Sequence, residues 1–123
     1  MNSVHTDKAP KAVGPYSQAV VSNGFVFTSG QIAINPETNT VEAEDIAGQS
    51  EQVMKNLKEV LEAAGSSFDK AVKTTCFLAD MNDFAAFNEI YGKYFSSLPA
   101  RSCVAVKTLP KNVLVEVEVI AEV

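Results

Sequence analysis

The C-terminal run ARSCVAVKTLPKNVLVEVEVIAEV, residues 100–123, alternates in character almost residue by residue. In an extended chain successive side chains point to opposite faces. Val113, Val115, Val117, Val119 and Ala121 therefore face one way, and Leu114, Glu116, Glu118, Ile120 and Glu122 the other. Upstream, Val104 and Val106 form one set and Arg101, Cys103 and Ala105 the second. The segment TLPKN between the two runs is short enough for an antiparallel hairpin. If the valines of both strands share the face covered by helices, the numbers of directly opposed residues sum to an odd number. Two registers satisfy this: Cys103 opposite Glu116 with Arg101 opposite Glu118, or Cys103 opposite Glu118 with Arg101 opposite Ile120. Either one puts Arg101, Cys103 and Glu116 on one face.

That face also carries Leu114, Ile120 and Ala105, which makes it more apolar than a sheet surface left to water. Arg101 has two readings. It can form a cross-strand salt bridge with a glutamate, or its planar fork can hold a carboxylate or phosphate in bidentate fashion. The residue pattern leaves both open. A covalent role for Cys103 lacks a base partner, because the one histidine, His5, lies at the N-terminus in a segment expected to fray.

Working back from Pro99, Phe84, Phe87, Tyr91, Tyr94 and Phe95 form an aromatic stripe at helical spacing, with Asn82 or Asp83 placed to cap the helix. Such a stripe reads as core. Asn88 interrupts it, four residues after Phe84 and three before Tyr91, so an amide is carried toward the buried side. Asn88 is either a satisfied structural amide or a polar group lining a site. Lys70–Asp80, with Thr74, Thr75 and Phe77, reads as a strand. A longer helix is expected from Asp45 to Ala64, its apolar residues Ile46, Val53, Met54, Leu57, Val60 and Leu61 at helical spacing and Gly65 as its stop. Tyr16–Val21 and Phe25–Thr28 read as a hairpin across Asn23-Gly24, and INPETNT as a turn cluster.

Two helices cannot cover both faces of five or six strands. A second copy of the chain is the simplest cover for the bare face, and would place its charged residues in clefts between subunits.

The whole chain of 123 residues reads as a single domain, residues 1–123, with 46% hydrophobic and 20% charged residues. A net charge of −5 argues against nucleic acid as the main partner. No secretory leader or membrane-spanning run is evident, so a cytoplasmic location without membrane association is expected. One histidine and two cysteines without a C-x-x-C spacing assemble no metal-ligand set.

The blocks GPYSQAV (14–20), TSGQI (28–32), VKTTCFLADMNDFAAFNEIY (72–91), PARSCV (99–104) and VEVEVIA (115–121) resemble, in order and over nearly the whole chain, the Rid family of reactive enamine/imine deaminases, and within it the RidA branch. The resemblance implies an α+β, chorismate-mutase-like fold: a mixed β-sheet with two helices packed on one face, assembled as a homotrimer with sites between subunits. It also implies that Arg101 holds a substrate carboxylate, that Glu116 positions or activates the attacking water, and that Cys103 lines the pocket. Tyr16, Ser29, Gly30 and Asn88 match further substrate-binding positions. The implied reaction is hydrolysis of 2-aminoacrylate, 2-aminocrotonate and their imine tautomers to 2-keto acids and ammonia. An imine carbon is already electrophilic, so no cofactor is expected. The alternative is a non-catalytic trimer of the same fold that binds 2-keto acids or regulates other proteins.

Overall fold

In the computed structural model, which describes residues 1–123, the chain opens with a short edge strand, β1 (Asn2–Val4). The hairpin of β2 (Ala19–Ser22) and β3 (Phe25–Thr28) follows. Asn23 and Gly24 close it with φ of 51° and 83°, left-handed values that Asn and Gly tolerate and other residues resist. A two-stranded ribbon, β4 (Ile34–Asn35) and β5 (Thr40–Val41), forms on the turn cluster. Then come α1 (Ile46–Ala63), β6 (Ala71–Leu78), α2 (Phe84–Tyr94), β7 (Ala100–Ala105) and β8 (Val115–Glu122). The main sheet has the order β1-β2-β3-β8-β6-β7, mixed because β7 runs parallel to β6.

α1 starts where its sequence provides a cap: the Asp45 side chain accepts from the Gly48 N–H at 2.8 Å. It ends at Gly65, φ 82°, where the Ser66 and Gly65 amides bond back to the Leu61 and Glu62 carbonyls. Val53, Leu57, Val60 and Leu61 are fully buried and share a core with Val115, Val117 and Val119 of β8 and Phe87 of α2. Each such side chain taken out of water contributes about 1.5–3 kcal/mol before entropy is counted. The core valines of β8 are the set that alternation assigned to the helix-covered face. Glu116 and Ile120 are half-buried and Glu118 is exposed on the other face.

The expected β7–β8 hairpin does not form. β6 lies between the two strands, pairing parallel with β7 (Thr74↔Arg101, Cys76↔Cys103) and antiparallel with β8 (Cys76↔Val117, Phe77↔Glu116). Parallel neighbours need a crossover, and α2 supplies it between β6 and β7. The TLPKN segment spans β6 instead of turning tightly, with Lys111 and Asn112 at φ 55° and 53°. In-register partners share a face, so Arg101 and Cys103 lie with buried Thr74 and Cys76 on the helix side, and Val104 is 46% exposed on the bare side. Arg101 and Cys103 are therefore on the opposite face from Glu116.

Three smaller expectations are also corrected. The N-terminus is not frayed, since β1 pairs with β2. Tyr16 precedes the hairpin strand instead of starting it. At α2 neither Asn82 nor Asp83 caps through its side chain; Asp80 accepts from the Asn82 N–H and caps a short 3₁₀ turn, Met81–Asp83, that leads into the helix.

Candidate active site

Arg101 leaves the start of β7 toward α2. Its Nη1 donates to Asn88 Oδ1 at 2.7 Å, and its guanidinium carbon lies 4.7 Å from the Tyr91 ring centre and 5.3 Å from that of Phe84. Phe84, Asn88 and Tyr91 are spaced four and three apart, one stripe along α2. The stripe is thus core on one flank and an arginine seat on the other, and the Asn88 carbonyl oxygen accepts from that arginine. The chain's two ion pairs, His5–Asp7 and Lys58–Glu62, do not involve Arg101. The salt-bridge reading of this arginine does not hold within the chain. A cation held by two rings and one neutral amide keeps most of its donors for a ligand.

Cys103 is two residues along the same strand face, beside Cys76 on β6; both thiols are free. Burial pushes the Cys103 thiol up and Arg101 pulls it down, burial being the larger effect. Cys76 is driven by burial to about 12. Neither is poised as a thiolate.

Glu116 lies across the sheet in a cleft of about 460 Å³, which Tyr16, Ser29, Gly30 and Ile32 also line. Its carboxylate rests on Gly30: a Cβ built there would collide with Glu116 Oε2. Burial first, and Glu118 second, push the Glu116 carboxyl above the usual range. No ion pair within the chain offsets this. A desolvated carboxylate with raised proton affinity is suited to take a proton from water. The Ser29 hydroxyl donates to the Ser17 carbonyl at 2.6 Å, so its oxygen is left to accept. Tyr16 is 54% exposed at the rim.

The fold thus gathers Tyr16, Ser29, Gly30 and Glu116 into one cleft, and Asn88, Arg101 and Cys103 into a second group, with β6 and the thickness of the sheet between them. No cluster of three or more His, Cys, Asp or Glu side chains stands where a metal ion would fit.

Several buried polar residues that build the cleft carry no sequence signal of that role. Gln18, 2% exposed, accepts from the Thr6 N–H and donates to the Pro10 carbonyl, tying the segment before the hairpin to the cleft wall. Asn56 of α1 donates to the carbonyls of Ile32 and Ile34. Gln49 accepts from the Leu114 N–H at 2.8 Å, fixing the entry to β8. A polar residue at a core position of the α1 pattern was the one available hint.

A family model described as "Endoribonuclease L-PSP" matches residues 6–123. An Arabidopsis thaliana protein named Reactive Intermediate Deaminase A, chloroplastic, is 50% identical over 119 residues, covering 96% of this chain and 64% of the plant protein. The crystal structure of RidA from an Antarctic Psychrobacter superposes with a TM-score of 0.95 at 44% identity, covering 100% of both chains. That of E. coli TdcF with bound serine gives 0.94 at 42% identity, covering 100% of this chain and 99% of the other. With the α+β fold, the site blocks and the family model agreeing over nearly its full length, the chain belongs to the Rid family.

Proposed function

We propose that this protein is a cofactor-independent enamine/imine deaminase whose active site forms between copies of the chain in a homotrimer. One observation carries the reading. The two charged groups best suited to the chemistry, an anion-seeking Arg101 and a proton-accepting Glu116, are each unpaired and lie on opposite faces of the sheet. A neighbouring copy can bring the Arg101 group of one chain over the Glu116 cleft of the next. The bare sheet face is the natural contact surface.

In such a cleft Arg101 anchors the carboxylate of a small 2-imino acid, the one charge on a ligand that otherwise offers little binding energy. Ser29 Oγ accepts from the imine N–H. Glu116 takes a proton from water as the oxygen adds to the imine carbon. Glu116 hands that proton to nitrogen to complete the carbinolamine, then moves the carbinolamine hydroxyl proton to nitrogen as the C–N bond breaks and the carbonyl forms, releasing ammonia and the 2-keto acid. Substrates of this class are 2-iminopropanoate and 2-iminobutanoate, the tautomers of 2-aminoacrylate and 2-aminocrotonate. The serine-bound TdcF relative is consistent with a small carboxylate ligand. The nuclease description attached to the family model gains no support from a chain of net charge −5, since a phosphate backbone needs clustered cations.

A serine or threonine dehydratase coupled to this protein tests the reading through the lifetime of the released imine. Wild type shortens it; Arg101→Ala and Glu116→Gln do not. If wild type leaves the lifetime unchanged yet binds a 2-keto acid, the non-catalytic reading replaces this one.

A further inference from the structure

We propose that Tyr91, fixed by Thr74, is a positioning residue for Arg101, holding the guanidinium in the orientation in which it meets a carboxylate. The inference rests on the role given to Arg101 above. The contacts form a chain. Tyr91 is buried, with its hydroxyl 2.7 Å from Oγ1 of Thr74 on β6, which is also buried. One face of its ring stacks on Phe95, with centroids 4.4 Å apart and planes 26° from parallel. The guanidinium of Arg101 also lies over this ring, closer than it lies to Phe84. Thr74 and Arg101 are direct neighbours across the parallel pair β6–β7. The strand that sets the height of Arg101 thus also pins, through one hydroxyl pair, the ring that sets its tilt.

The physical need is clear from the geometry. Arg101 stands on an edge strand, has one hydrogen-bond partner in the chain and no carboxylate. A long side chain so lightly tethered loses rotamer freedom on binding a ligand. A ring face under the cation lowers that loss beforehand, and cation–π attraction strengthens when the pair is shielded from water. A buried hydroxyl pair keeps the ring from rotating or sliding, because separating its members would leave two unsatisfied groups.

Tyr91→Leu keeps apolar bulk but removes both ring and hydroxyl. It is expected to raise KM for the imine about five- to thirtyfold, with kcat within about twofold, as expected when ground-state and transition-state binding are lost together. The affinity for 2-oxobutanoate, measured by calorimetry, should fall by the same factor. Tyr91→Phe and Thr74→Val each cut one end of the hydroxyl pair. Each should raise KM about two- to threefold, and the double variant should be no worse than either alone. A purely structural role would lower Tm and active fraction without moving KM.

The Nε–H resonance of Arg101 gives a readout that needs no activity, since the ring current of Tyr91 displaces it. In Tyr91→Leu it should return toward the position of an exposed arginine. A resonance unmoved in that variant overturns the proposal. So does wild-type 2-oxobutanoate affinity in Tyr91→Leu or, should that variant not fold, wild-type affinity in both Tyr91→Phe and Thr74→Val. If wild type binds the keto acid but hydrolyses no imine, the deaminase reading falls, and the resonance and affinity shifts still decide the role of Tyr91.

Discussion

At the residue scale, Glu116 shows how reactivity and stability oppose each other. Its carboxyl is pushed above the usual range by burial and by Glu118, so the folded chain holds this proton more tightly than the unfolded one. The stabilising effect of the protonated form is complete below the ordinary carboxylate range and is lost as pH rises through the raised value. At neutral pH the ionised group is therefore a burden on the fold of the single chain. Glu116→Gln should unfold at a higher temperature than wild type at pH 7, and the gap should close as the pH falls below the carboxylate range. Activity should show the opposite dependence: imine hydrolysis in wild type declines on the acid side from a higher pH than an unshifted carboxylate would give. A pH–rate profile paired with thermal melts across the same range checks both signs.

Two other residues make sharp claims. On the proposed role, Arg101→Ala removes one partner of a desolvated charge interaction with substrate, and is expected to cost about 2–5 kcal/mol of transition-state stabilisation, read as a fall in kcat/KM of about thirtyfold or more. Gly30→Ala leaves every charged group in place but thrusts a methyl into the Glu116 carboxylate. It should lower kcat by about tenfold or more with folding intact, because a base displaced by an ångström no longer meets the attacking water. Unchanged kinetics in a folded Gly30→Ala protein would show that the seat of Glu116 does not matter.

At the scale of elements, the fold was readable where one side chain answers one local question. Asn23-Gly24 names its turn, Gly65 ends α1, and the valines of β8 alternate against a core. The placement of β7 was not readable in the same way. Period-two alternation says which residues of a strand share a face but not which face is covered, so ARSCVAV satisfies a hairpin with β8 and a parallel pairing with β6 equally well. The decision is made by α2, whose arginine seat at Phe84, Asn88 and Tyr91 requires Arg101 on the helix side. The candidate site residues were named through the family blocks, and their division between two faces was hidden by the same ambiguity. The polar anchors of α1 were illegible for another reason: a glutamine or asparagine in a helix pattern does not reveal which distant carbonyl it meets. Asn56→Ala should lower stability by about 1–3 kcal/mol in denaturant melts, as the Ile32 and Ile34 carbonyls lose their shared donor.

At the scale of the molecule, the sheet has a dry side packed by two helices and a bare side on which Phe27 and Val104 are 40% and 46% exposed. The proposed trimer covers that side, and sedimentation at micromolar concentration should find three chains. A monomer would remove the basis for a site between subunits. Mixing supplies a stronger check. Inactive Arg101→Ala and Glu116→Gln chains, unfolded together and refolded in equal amounts, should regain about one quarter of wild-type activity, since a site drawing one group from each of two chains is intact with a probability of one half squared. A site contained in one chain would regain none.

The crossover β6–α2–β7 holds Thr74, Phe84, Asn88, Tyr91, Arg101 and Cys103 in one unbroken length of chain, residues 74–103. The groups around Glu116 come from residues 10–34 and 110–116. In the proposed deaminase, recognition and hydrolysis are thus written on separate stretches of the gene and meet only after assembly. Recombination can replace the first as a cassette while leaving the second untouched, so ligand preference is free to diverge without rebuilding the machinery that attacks the bond.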